Sequence, residues 1–331
     1  MKRLTLLIAL LPLLALAQKN KFAQLGEELP TPNEYRNAAG APGHNYYQQK
    51  ADYKIKVEIN DHTQRLTGRE TITYTNNSPD KLEYLWIQLD QNVRAMDSDS
   101  KLITVEKMED FRSIDDVQKK FFYYDGGFKI EEVSSSGKKM KYTINKTMLR
   151  IDLDKPLAPS SSISFDISWW YNINDRMKVG GRGGYEYFEE NDNYLYTIAQ
   201  WFPRMCVYND VEGWQNKQFL GRGEFTLEFG DYEVDITVPD TFVVAATGEL
   251  RYPARVLTSQ QQFRLREART SEEPVLVITP EEALANESLE AKGEKTWSFK
   301  AGNVRDFAWA ASPKFAWDAW GVAVPGSDNV T

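Results

Sequence analysis

The sequence predicts a mostly β fold: a large antiparallel β sandwich or saddle with long loops and little helix. Three observations carry this. Short stretches alternate apolar and polar residues, clusters of Gly, Pro and Asn separate them, and a single short polar stretch has helical character. At 331 residues the chain is too long for one small sandwich and could hold one large or two modest domains.

The N-terminus reads as a leader. Lys2-Arg3 is followed by an apolar run from Leu4 to Leu14 and by Ala15-Leu16-Ala17, a small-x-small cleavage site. The run is shorter than the ~20 residues a membrane span requires. Residues 1–17 are therefore expected to be a signal peptide cleaved near Ala17, with the mature chain exported to the periplasm, the cell surface or the medium. Residues 18–50 carry Pro30, Pro32, Gly40, Pro42 and Gly43 and are expected to form an extended arm lying over the fold.

A β-sandwich domain is expected over 51–310. Tyr53, Ile55, Val57 and Ile59 alternate with charged residues as a half-buried strand, Asp61 to Gln64 turns, and Leu66 to Thr75 returns. The cluster from Asn76 to Asp80 is a strong turn. Leu82 to Leu89 is a third strand, with Tyr84 and Trp86 on one face and Leu85, Ile87 and Leu89 on the other. Residues 92–124 lack a strand period. Within them Asp97-Ser98-Asp99-Ser100 has neither the Gly nor the distant Glu of a calcium loop, so it reads as a solvated turn.

Strands resume at 128–133, 142–144, 148–153 and 163–169. The glycines of VGGRGGYEYF follow no strand-to-helix pattern and end in no Gly-Lys-Ser/Thr, so they read as a loop with Tyr185, Tyr187 and Phe188 docking on the core, not a phosphate cradle. Residues 281–292 form the one convincing helix, and 296–312 read as a closing strand and its exit. Residues 311–331 are expected to begin a following, catalytic domain that is incomplete here, and Trp317 and Trp320 to lack the surface they would pack on.

The formal charge of −8 argues against nucleic acid as a partner. Beyond the leader no apolar run is long enough to span a membrane. Cys206 is the only cysteine, so no internal disulfide exists, and its apolar neighbours Met205 and Val207 favour a small buried hydrophobe over a nucleophile.

The most informative stretch runs from Gln200 to Leu250. Val234, Ile236 and Val238 alternate with polar residues, Pro239-Asp240 turns, and Phe242 to Ala246 return, which predicts a β-hairpin closed by Thr247-Gly248. Ahead of it Trp201, Phe202, Pro203, Arg204, Cys206, Tyr208 and Asp210 obey no period. Such segments occur at binding sites, although residue chemistry alone favours an aromatic corner of the core.

This stretch resembles the N-terminal β domain of the aminopeptidase N-type (gluzincin) zinc metallopeptidases, in the form common in secreted bacterial proteins. The resemblance lies in the ordered series Gln200, Arg204, Cys206, Asp210, Val238-Pro239 and Thr247-Gly248-Glu249-Leu250. It extends to TPNEYRNAAGAPGHNYYQQKADYKIKVEI and GGRGGYEYFEE, and so to most of the mature chain. The resemblance implies a β sandwich or saddle, and zinc held elsewhere by a His-Glu-x-x-His helix whose Glu is the general base. No such motif is present. The two histidines, His44 and His62, lie far apart, so no catalytic residue and no metal ligand is expected in this chain, and zinc only in the parent enzyme.

What the resemblance leaves to this portion is the substrate's free N-terminal amine, with Gln200 as the substrate-binding residue. An amide oxygen accepts from an ammonium without desolvating a second charge. A Gln that only bonds backbone fits equally. Arg204 and Asp210 are expected to fix the loop through a mutual ion pair. The implied function is a substrate-binding and structural domain of a secreted zinc-dependent aminopeptidase, not catalytic alone, meeting the peptide N-terminus together with the missing catalytic domain. The alternative is a secreted, non-catalytic β-sandwich module for glycan or protein, with Trp169-Trp170, Tyr185, Tyr187, Trp201 and Trp214 as stacking platforms.

Overall fold

The computed structural model describes residues 32–103, 113–114, 124–221, 223 and 226–323. The expected signal peptide, the start of the arm and the last residues of the tail lie outside them. The chain divides into two compact units, Met1–Tyr47 and Gln48–Thr331. In the first, the described residues form turns. Asn33 Oδ1 accepts from the amides of Tyr35 and Arg36, an isolated bridge joins Arg36 to Pro42, and the Arg36 guanidinium lies 5.0 Å from the centre of the Tyr46 ring.

The second unit is mostly β, as the alternation predicts. Its largest sheet has eight strands, in spatial order Glu249–Arg251, Glu294–Val304, Gly230–Pro239, Lys50–Asn60, Arg65–Asn76, Ser161–Asn172, Lys129–Ser135 and Lys138–Lys139. Every neighbouring pair is antiparallel except Lys50–Asn60 with Gly230–Pro239, which run parallel with Ile55 opposite Val234. One face buries Tyr53, Ile55, Val57, Leu66, Ile72, Phe165, Ile167, Trp169, Val234 and Ile236, while Lys54, Lys56, Glu58 and Arg69 stand on the other. Gly68 lies opposite Trp169, and a Cβ there would fall inside the indole, so the glycine makes room for the ring.

Two four-stranded sheets share the core of this face. One orders Arg204–Met205, Leu82–Gln88, Met148–Leu157 and Lys141–Asn145; the other orders Val243–Ala246, Trp309–Ser312, Asn193–Ile198 and Gly184–Phe188. Aromatic contacts join the sheets. Tyr53 stacks on Tyr232 at 4.8 Å and meets Phe202 edge-on, and Trp201 meets Trp309 at 90°. Contacts of this geometry add to the burial of rings that already dominate core energetics.

The structure corrects several expectations. The hairpin over 234–246 does not form: Gly230–Pro239 pairs within the large sheet, and Val243–Ala246 crosses to another and pairs with Trp309–Ser312. The turn after Pro239 is present but serves as a change of sheet, a corner move of layered β folds. The segment 296–312 likewise gives two strands in two sheets.

A second helix, Ser259–Ala268, accompanies a shorter version of the expected one, Pro280–Glu287. Each opens on a capping box, Thr258 with Gln261 and Thr279 with Glu282, which satisfies two otherwise orphaned backbone donors. Trp317 is not unpartnered. The strand Trp317–Ala319 pairs with Val275–Ile278, and Phe315, Trp317 and Ala319 pack on the core, whereas Trp320 is half exposed and donates to the Ser271 carbonyl at 3.2 Å. No helix among the described residues is long and apolar enough to cross a membrane.

Candidate functional site

Gln200 lies two residues past the end of the strand Asn193–Ile198, at φ +52° in the left-handed region. That conformation is uncommon for a residue with a Cβ and persists where surrounding contacts over-determine it. The contact is Gln91, a buried side chain on the 3-10 turn Asp90–Arg94. Its Nε2 donates to the Gln200 carbonyl at 2.9 Å and to the Ala199 carbonyl at 3.4 Å, and its Oε1 accepts from Arg94 Nη1 at 2.9 Å. Because Oε1 takes a guanidinium donor, only Nε2 is left to face the turn, which fixes the orientation of the amide. Sequence reasoning missed Gln91 and Arg94. Their residue types carry no motif, and only tertiary contact brings them to Gln200.

After Gln200 the chain dives into the core. Trp201 through Val207 are all buried, which is the aromatic-corner reading of this segment. Trp201 Nε1 donates to the Phe307 carbonyl at 2.7 Å, and the Met205 amide donates to Tyr53 Oη at 2.9 Å. Burial raises the Tyr53 phenol well above its usual range, and it stays neutral. Cys206 is buried and its thiol is pushed up by desolvation, so it is an inert hydrophobe as expected and not a nucleophile.

Arg204 does not pair with Asp210. Its Nε and Nη2 donate to Asp90 Oδ2 at 3.1 and 2.8 Å, and its Nη1 donates to Asp306 Oδ2 at 2.7 Å. Burial works against the Arg204 charge, and the two carboxylates outweigh it. Burial likewise holds both aspartates above their ordinary values, against the pull of the guanidinium. The reason for the miss is sequence distance: both partners lie more than a hundred positions from Arg204, beyond any local pattern. Asp90 directly precedes Gln91, so this ion pair anchors the turn that holds Gln200.

The glycine loop closes the other side. Asn174 Nδ2 donates to the carbonyls of Gly180 and Gly183 at 3.0 and 2.9 Å, and a Cβ at Gly181, where φ is +104°, would collide with Arg94 Nη2. The loop then enters the strand Gly184–Phe188. Tyr185 packs on the core, whereas Tyr187 is half exposed. Other expected features lie elsewhere. Asp97 and Asp99 flank Lys146 Nζ at 3.1 and 3.6 Å, the arrangement of a solvated ionic turn. His44 and His62 are exposed, and among the described residues no group of three or more His, Cys, Asp or Glu is placed to hold a metal ion.

The outer face of the large sheet forms an open polar trough of about 610 Å³. Several of its charges are paired on the sheet itself: Lys54 and Lys300 reach Glu233 at 3.8 and 3.7 Å, Arg69 reaches Asp166 at 3.9 Å, and Ser298 donates to Asp235 at 2.6 Å.

No protein-family profile matches the chain, and no curated protein does. Among solved structures it is similar to an M1 zinc metallopeptidase from Deinococcus radiodurans, with a TM-score of 0.40 and 12% identity over 82% of this chain and 43% of that one. A point mutant of a Deinococcus radiodurans M1 zinc metallopeptidase bound to a Tyr-Ser-Ala substrate gives 0.40 and 12% over 80% and 42%. A two-domain M1 zinc metallopeptidase mutant bound to L-arginine gives 0.39 and 12% over 82% and 44%. The chain spans less than half the length of these structures, and a likeness this partial assigns no activity.

Proposed function

We propose that this chain is the substrate-binding and structural N-terminal part of an exported zinc-dependent aminopeptidase, which receives the free amine of a peptide at Gln200 and is not catalytic by itself. The observation that carries the reading is the Gln200 turn. A residue with a side chain occupies a left-handed conformation there, clamped by a buried amide that is itself fixed by Arg94. Backbone strain supported this thoroughly is a mark of functional positions. The ordered series from Gln200 to Leu250 supports the same reading by its resemblance to the family. An amide oxygen on a rigid turn suits an ammonium, because it accepts without bringing a second charge to be desolvated.

The chain's own residues bind and position. The Asp90–Arg204–Asp306 trio and the buried aromatic floor hold the turn, while zinc and the proton-transfer groups belong to sequence outside this chain. Among the described residues no group fits a zinc site, and no chemical step is assigned to them. The aromatic residues offered as sugar platforms are largely committed: Trp169 and Trp201 are fully buried, Trp170 lies beneath the Arg65 guanidinium at 4.0 Å, and Trp214 packs against Tyr74 and Tyr208.

In an aminopeptidase that carries this chain, Gln200→Ala is expected to raise KM with little change in kcat, because its partner is the ground-state amine. Unchanged kinetics across several substrates would make Gln200 a structural residue only.

A further inference from the structure

We propose that Arg94 forms an anion subsite beside Gln200 and selects peptides that carry a carboxylate side chain next to their free amine. The inference rests on the reading of Gln200 as the amine ligand and adds the substrate class. Its basis is a recessed guanidinium that has no ion-pair partner among the described residues. Arg94 is only partly exposed, and its one hydrogen bond is to a neutral acceptor, Gln91 Oε1, at 2.9 Å. Among the described residues no carboxylate lies within ion-pair distance of it.

The other well-covered arginines are provided for: Arg204 has Asp90 and Asp306, and Arg264 has Glu282 at 2.7 Å. Covered cations are normally paired, because desolvation without a partner is costly. The groups around Arg94 cannot take that role. Asp90 is engaged by Arg204, and the Tyr124 hydroxyl donates to the Asn172 carbonyl. Burial lowers the Arg94 pKa, and Tyr124, Tyr171 and Asp90 only partly offset it.

The group is also preorganised and reachable. Nη1 is held by Gln91, and Nη2 packs where Gly181 lacks a Cβ, so the side chain has surrendered its rotamer freedom before any ligand arrives. Arg94 is partly exposed, so the side chain is open to solvent on one side. A guanidinium fork presented this way matches the two oxygens of a carboxylate. Arg94 and the Gln200 carbonyl are bonded to the two ends of one amide group, that of Gln91. The guanidinium therefore lies one amide group away from the backbone of the Gln200 turn.

The test is calorimetric titration of the chain with L-Glu-L-Ala amide and L-Gln-L-Ala amide, which differ only in the side-chain charge. The glutamyl peptide is expected to bind about tenfold more tightly, the worth of a charge-assisted hydrogen bond, with the preference falling as salt rises. Arg94→Met should remove the preference, whatever affinity both peptides lose together through the Gln91 clamp, and Arg94→Lys should retain part of it; an unchanged thermal midpoint in either variant certifies its fold. Equal binding of both peptides by the wild type, or a glutamyl preference that survives in Arg94→Met, overturns the subsite. If Gln200→Ala leaves both peptides bound while the dependence on Arg94 persists, the amine reading falls and the anion site stands. If neither peptide binds at millimolar concentration, both fall.

Discussion

Arg204→Ala is expected to cost about 3–5 kcal/mol of stability, because removing one member of a buried ion pair strands the other. Arg204 and Asp90 are nearly inaccessible, with side chains 6% and 1% exposed, whereas the Asp306 side chain is 40% exposed. The two partners should therefore separate. Asp306→Ala leaves a guanidinium still bonded to Asp90, next to a site that water reaches, and is expected to cost about 1 kcal/mol or less. Arg204→Lys keeps the charge but cannot supply three donors in a fork, and should fall between. Urea midpoints of the three variants check the order. Equal losses for Arg204→Ala and Asp306→Ala would mean that the buried Asp90 contact is not what holds the turn. The consequence reaches the site, since Asp90 and Gln91 are consecutive and Gln91 is the clamp on Gln200.

A second large effect comes from Glu70, which points into the core between Ile55 and Ile167 on the neighbouring strands. It is fully buried, and neither carboxylate oxygen has a hydrogen-bond partner among the described residues. Desolvation raises its pKa well above the ordinary 4.5. The native state thus keeps a proton that the unfolded chain releases as pH rises past that value. Stability attributable to Glu70 is whole below about pH 4.5 and is lost with rising pH until the folded-state value is passed, at a limiting slope of about 1.4 kcal/mol per pH unit. Glu70→Gln removes the titration. The variant should match the wild type near pH 4.5 and exceed it increasingly toward pH 8. Glu228, whose carboxyl burial pushes up to about 7, slopes both proteins alike and cancels in the comparison. Parallel stability curves for wild type and Glu70→Gln from pH 4.5 to 8 would show that Glu70 is ionised in the fold.

Much of the fold was legible because the long strands of the large sheet have one wet face and one dry one. The Tyr53 to Ile59 alternation and the 163–169 run are cases where period-2 patterning and burial agree residue by residue. The hairpin over 234–246 failed for the complementary reason: local pattern and turn chemistry specify two strands and a bend, but not which neighbour each strand pairs with. Pairing was decided by Lys50–Asn60 and Glu294–Val304, distant in sequence.

The helix Ser259–Ala268 was missed because it has one buried residue, Ala268, and hence no apolar stripe; the Thr258–Gln261 capping box was the signal that could have found it. At the site, Gln200 was visible only through family resemblance. Its left-handed backbone carries no sequence signal, since no Gly or Asn marks it. Gln91 and Arg94 were invisible for want of any spacing rule that joins positions 91 and 200.

The central claim is that Gln200 receives a free amine, and its most direct test is the side-chain amide signal of Gln200 in nitrogen-15-labelled chain titrated with a short peptide. A peptide with a free N-terminus should shift that signal and the Trp201 amide in a saturable way, and the same peptide acetylated at its N-terminus should not, because acetylation removes the ammonium and leaves everything else in place. Identical shifts from the two peptides, or shifts that avoid Gln200 altogether, would contradict the account.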